Sequence, residues 1–275
     1  MNLIKFLDEF TTEKLVAEKS SRRDMFGTFG SLGKKAIMSA IPLGLATVPA
    51  KSFAQDSGNA AVDALQLALT LEYLEDEFYN RAINCVVLPD GRPRVIYEQI
   101  ARHEAAHVDF LIAGLEGAGV DPVPKPEFDF TAGGMFDPFL ENGNDKVTAY
   151  AQLLALAQAF EDTGVRAYKG QATNLQGTPF LTAALQIHSV EARHASEIRR
   201  LRGLKGWITG MERGEGIPEA AQPVYTGEEN VTQGGVDVTT LGDGSPFGFE
   251  AATEAYDEPI TGDTAVAIAS LFIKS

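Results

Sequence analysis

The chain has 275 residues, 44 % of them hydrophobic and 22 % charged, proportions that exclude a wholly disordered or fibrous protein. A formal charge of −15 argues against partners held by bulk attraction to phosphate, so neither nucleic acid nor an anionic lipid surface is expected. The lone cysteine, Cys85, excludes an internal disulfide framework and multi-cysteine zinc sites, and no apolar run reaches the roughly 18–20 residues of a membrane span.

Residues 1–54 differ from the rest. They hold eight of the 23 Lys and Arg residues but only five of the 38 Asp and Glu residues, so the acid excess lies downstream. The pair Arg22-Arg23 precedes a moderately apolar stretch, Ala36 to Ala50, and Ser52-Phe53-Ala54 offers small residues where a signal peptidase reads. This layout resembles a twin-arginine export signal, with Gln55 as the mature start, and implies a periplasmic protein exported already folded.

Four segments of helical composition and period follow, over about 58–86, 92–117, 145–172 and 178–204. Leu88-Pro89-Asp90-Gly91 separates the first pair, and Asn174 to Thr178 with Pro179 separates the second. Between the pairs, Ala118 to Asn144 holds Pro122, Pro124, Pro126 and Pro138 and cannot be helix throughout. Short link, long crossover, short link predicts an all-α four-helix bundle over 58–205 with one crossover. Residues 206–275 read as an irregular acidic tail packed on the bundle, its acids as solvated surface, with a calcium-binding turn at Gly242-Asp243-Gly244 as a further reading.

The second and fourth segments carry all four histidines, His103, His107, His188 and His194. Two of them close Glu-x-x-His pairs, Glu104/His107 and Glu191/His194, and residues three apart share one helix face. The first segment contributes Glu72, with Tyr79 seven residues on; the third contributes Glu161, with Tyr168 at the same spacing. Seven residues is two turns, so each tyrosine shares a face with its glutamate. Glu75 rivals Glu72, and the repeated spacing to tyrosine favours Glu72. The halves match, Glu-x6-Tyr then Glu-x-x-His, and two like halves predict two like metal sites.

Four carboxylates on the inner faces of a bundle would repel one another and be poorly solvated if left bare. Two divalent cations offset their charge, and neutral imidazoles complete a ligand set suited to iron or manganese. His103 and His188 stand within reach of the rim. Gly164, one turn beyond Glu161, leaves room where oxygen or peroxide could sit, or serves a helix contact. Cys85 reads as a packed thiol near a helix end.

With these residues the chain resembles the ferritin-like proteins, and segments such as LEYLEDEFY at 71–79, TQGGVDV at 232–238 and ATEAYDEP at 252–259 are similar to exported bacterial members akin to desiccation-related proteins. The resemblance implies that Glu72, Glu104 and His107 serve one metal and Glu161, Glu191 and His194 the other. It also implies bridging roles for Glu104 and Glu191 and a near-metal role in catalysis for Tyr79. It departs from the family at His103 and Val190, where many members place an acidic partner for histidine. The implied function is a di-metal carboxylate protein of the cell envelope handling oxygen, peroxide or Fe(II), ferroxidase-like or catalase-like, and compatible with a homo-oligomer. The alternative is an envelope scaffold or binding module with a structural or vestigial metal site.

Overall fold

A computed structural model describes residues 59–242 and 247–274. The export-signal reading of 1–54, and Asp243 and Gly244 of the calcium-turn reading, lie outside the described residues. Four long helices dominate: α1 (Ala60–Asn84), α2 (Arg92–Gly117), α3 (Lys146–Gln171) and α4 (Phe180–Leu201). Local chemistry explains their starts. Asn59 caps α1 by accepting from the Ala61 N–H, and Asp145 caps α3 by accepting from Val147 and Thr148. Pro93 sits in the first turn of α2, where a missing N–H removes no intrahelical bond. Gly91, at φ +90°, supplies the left-handed residue that turns the chain from α1 into α2.

Cross-helix contacts set the directions. Gln66, near the start of α1, bonds the backbone of Asp121 and Val123 just beyond α2, so α1 and α2 are antiparallel. Arg92 pairs with Glu197 at one end, and Phe180 meets Gly114 at the other, so α2 and α4 are antiparallel. The Tyr97 hydroxyl reaches the Leu153 carbonyl, start to start, so α2 and α3 are parallel. A connection between parallel helices of 26 residues must return about 39 Å, which is why the link is long. That crossover carries Phe130 and Phe139 onto Phe78, and its Phe128 bridges to Ile273 near the C-terminus.

The tail continues through a short hairpin, β1 (Thr232–Gln233) with β2 (Val236–Asp237), then α5 (Phe249–Thr253) and α6 (Gly262–Ser270). It forms a second core with α1 and α3, where Val224, Tyr225, Ile260 and Ile268 meet Leu67, Leu71 and Ala167. Helix α3 is consequently buried on all sides from Leu153 to Tyr168, because helices cover one face and the tail the other. At Gly170 a Cβ would lie 1.9 Å from the Ile260 carbonyl oxygen, so only glycine lets the tail pass.

One expectation about the tail needs correcting. Its acids are not all solvated: Glu228 is buried, 2.6 Å from Nε of the equally buried Arg166, which also donates from Nε to the Glu258 carbonyl and from its two terminal nitrogens to the carbonyls of Val224 and Thr226. Composition marks an acid-rich segment as surface, whereas a buried guanidinium on α3 demands a carboxylate beside it. Gly117–Gly119 aside, the described residues fall in one unit. Among them no helix is long and apolar enough to cross a membrane.

Candidate metal centre

Each long helix turns acidic side chains into the bundle. Glu72 on α1, Glu104 on α2, Glu161 on α3 and Glu191 on α4 are all 0 % exposed, with His107 at 9 % and His194 at 5 %. This excludes a solvent-facing arrangement of the six. Nδ1 of His107 lies 3.0 Å from Glu104 Oε2, 3.2 Å from Glu72 Oε2 and 3.2 Å from Glu191 Oε1. Nδ1 of His194 lies 2.9 Å from Glu104 Oε1, 3.2 Å from Glu161 Oε2 and 3.8 Å from Glu191 Oε2.

Two overlapping sets of donor atoms result, each within 4.8 Å: Glu72, Glu104, His107 and Glu191, and Glu104, Glu161, Glu191 and His194. Glu104 and Glu191 belong to both, and each turns one oxygen to His107 and the other to His194. A histidine nitrogen holds at most one proton in the ring plane and cannot bond three surrounding carboxylates at once. Accordingly Glu104 Oε1, Glu161 Oε2, both oxygens of Glu191 and Nδ1 of His194 are buried with no hydrogen-bond partner, although they lie close together. Unbonded donor atoms converging on shared points fit cations, and hard oxygens with imidazole fit iron or manganese.

Without metal the cluster holds protons. Burial lifts the Glu161 carboxyl to about 7 despite the pull of His194, and burial with neighbouring carboxylates lifts Glu104 and Glu75 well above the usual range. Burial works against the charged form of Glu191, but the pull of the two facing histidines outweighs it and holds this carboxyl low. Burial would lower both histidines, yet the surrounding carboxylates, Glu72 foremost at His107 and Glu161 at His194, hold them above their ordinary range.

The tyrosines are arranged differently from the pairing that spacing suggests. Tyr79 of α1 donates to Glu161 Oε1 of α3, and Tyr168 of α3 donates to Glu72 Oε1 of α1. Each thus crosses to the other half, because α1 and α3 run antiparallel. Each occupies one oxygen of its glutamate and leaves the other facing a histidine. Burial, followed by the facing glutamate charge, raises both phenols well above their usual value.

Glu75 lies outside both donor sets, so the choice between it and Glu72 falls to Glu72. It is nevertheless 2 % exposed, and among the described residues none bonds or pairs with it. It borders a small, largely apolar cavity with Leu71, Phe160, Thr163 and Phe272. A Cβ at Gly164 would stand 3.1 Å from Glu191 Oε2 and 3.3 Å from Glu75 Oε1, so the missing side chain makes room for two carboxylates.

Of the remaining histidines, His103 reaches the centre: its Nδ1 lies 2.8 Å from Nε2 of His194. His188 does not, since its Nδ1 bonds the Val165 carbonyl at 2.9 Å. Cys85 is half-buried at the end of α1, its thiol on the Ala82 carbonyl. No curated protein matches the chain. The family model for the ferritin-like domain matches residues 60–204, the span of the four long helices and their crossover, and the chain belongs to that family.

Proposed function

We propose that the centre is a di-metal carboxylate site that holds two divalent ions, iron or manganese, and acts on oxygen, peroxide or Fe(II). The observation that carries this reading is the pair Glu104 and Glu191, each with an oxygen toward each histidine and three of those four oxygens otherwise unbonded. Glu72 and His107 would complete one set and Glu161 and His194 the other. When bound, a redox metal pair would supply electrons to O2 or peroxide, or accept them from Fe(II) or peroxide. The chain's own part is to exclude bulk water, to present carboxylates whose charge favours the higher oxidation state, and to orient the terminal glutamates through Tyr79 and Tyr168. Five buried carboxylates, Glu75 included, exceed by one the charge that two divalent ions would offset. The Arg22-Arg23 segment supports export to the periplasm in folded form, which would let metal be loaded before crossing.

Metal analysis of protein purified from its native compartment tests the reading. Two iron or manganese ions per chain are expected, with turnover of Fe(II) or peroxide. Because Glu104 and Glu191 serve both sets, Glu104→Ala or Glu191→Ala should lower occupancy at both places, whereas His107→Ala should empty one. Two ions retained in both glutamate variants would overturn the di-metal assignment. Zinc or no metal in the native protein, without turnover, would favour a scaffold.

A further inference from the structure

The two halves of the centre are backed differently from behind. Nε2 of His194, the ring edge turned away from the carboxylates, meets Nδ1 of His103 at 2.8 Å, and the two rings lie edge to edge and nearly coplanar, with centroids 5.1 Å apart and planes 16° apart. Nε2 of His103 in turn bonds the Gln99 side-chain amide, and the Gln99 carbonyl accepts from Arg102. Gln99 and Arg102 are exposed, so the bonded series runs from the buried centre to solvent. His107 has no such backing: among the described residues none bonds its Nε2. In the matching half, the place of His103 is taken by Val190, whose side chain can neither donate nor accept.

We propose that His103 is a positioning residue for the cation held by His194, and that the two cation places are therefore unequal, the His194 place being the tighter. This rests on the di-metal reading above. Nδ1 of His194 faces Glu104, Glu161 and Glu191, so a cation there needs the single proton of the neutral ring on Nε2. That N–H requires an acceptor, and Nδ1 of His103 supplies one at bonding distance. The bond fixes both the tautomer and the orientation of the ligand ring, a contribution that outer partners of metal-bound histidines commonly make.

Calorimetric titration of the metal-stripped protein with Mn(II) tests this. Two unequal steps are expected. In His103→Ala the tighter step should weaken by about 10–100-fold while the weaker one stays in place. In His103→Asp a carboxylate oxygen stands where Nδ1 stood and can only accept, so the tighter step should return. Loading with diamagnetic Zn(II) gives a second readout, the His194 Nε2–H resonance in ¹H–¹⁵N spectra. It should be shifted downfield and protected from exchange in the unaltered protein and in His103→Asp, and exchange-broadened in His103→Ala. A merely structural role for His103 would not make the signal follow the acceptor. Two steps left unchanged by His103→Ala would overturn the role of His103 and leave the di-metal reading standing, as would equal weakening of both steps. Failure of the unaltered protein to take up Mn(II) would overturn that reading and this inference with it.

Discussion

Stripping the metal and raising the pH should destabilise this protein, and the structure sets the size of the effect. Glu161 titrates near 4.5 in the unfolded chain and near 7 when buried in the cluster. Over that interval the native state binds more protons than the unfolded one, so stability falls as pH rises. At about 1.4 kcal/mol per pKa unit, Glu161 alone accounts for about 3 kcal/mol lost between pH 4.5 and 7. Glu75 and Glu104, also raised, act with the same sign. The histidines contribute fully below about 6.5, their unfolded value, and lose that contribution as pH climbs through their raised native values. Within the cluster only Glu191, held low, works the other way, and its contribution is already complete above its unfolded value of 4.5. Urea unfolding with a chelator present, at pH 5 and pH 7.5, measures the difference. The midpoint should fall with pH, and a thermal melt should drop by roughly 6–12 °C for every 3 kcal/mol lost. Returning Mn(II) at a hundred times its dissociation constant should restore about 2.7 kcal/mol per site and reverse the trend with pH, because the ion competes with protons for the same atoms. A stripped protein equally stable, or more stable, at pH 7.5 would refute the reasoning, since it would mean that the carboxylates are solvated or already neutralised by the histidines.

Two further outcomes are expected. Tyr79→Phe removes the donor to Glu161 Oε1 and leaves that oxygen buried and unpaired; at pH 7.5 the stripped variant should lose about 1–3 kcal/mol by urea unfolding, and an unchanged midpoint would refute the crossed tyrosine's role. Replacing Arg22 and Arg23 by lysine should leave the unprocessed chain in the cytoplasm, as fractionation and N-terminal sequencing would read; normal processing at Gln55 would end the twin-arginine reading.

The arrangement of Glu75 and Gly164 separates two kinds of information. Spacing along one helix is a local property, so the Glu-x-x-His pairs and the apolar stripes could be read from the chain, as could the short and long connections between helices. Glu72, Glu104, His107, Glu161, Glu191 and His194 therefore stand out as a group with no structure in view. Which residue meets which across the bundle is a different matter. A seven-residue interval puts Tyr79 on the face of Glu72, but the antiparallel run of α1 and α3 hands its hydroxyl to Glu161. Glu72 and Glu75 are one turn apart and alike in local setting, and only the rotation of α1 sends the first into the donor sets and the second to the cavity beside Gly164.

The histidines and the tail divide in the same way. His103 and His188 both lie within three residues of their motif glutamates, and helix packing turns one onto His194 and the other onto a carbonyl of α3. Composition marks residues 206–275 as an acid-rich tail, and it cannot reveal that Glu228 is drawn inside by Arg166 or that Ile260 passes over Gly170. The sequence by itself determined the four helices, their connectivity and the faces that carry carboxylate and imidazole, because these follow from helical period and from the backbone limits of proline and glycine. The tertiary structure alone decided the bridging geometry, the crossed tyrosines and the unequal backing of the two histidines, because each depends on how separate helices are directed and rotated against one another, and no interval along a single helix encodes that.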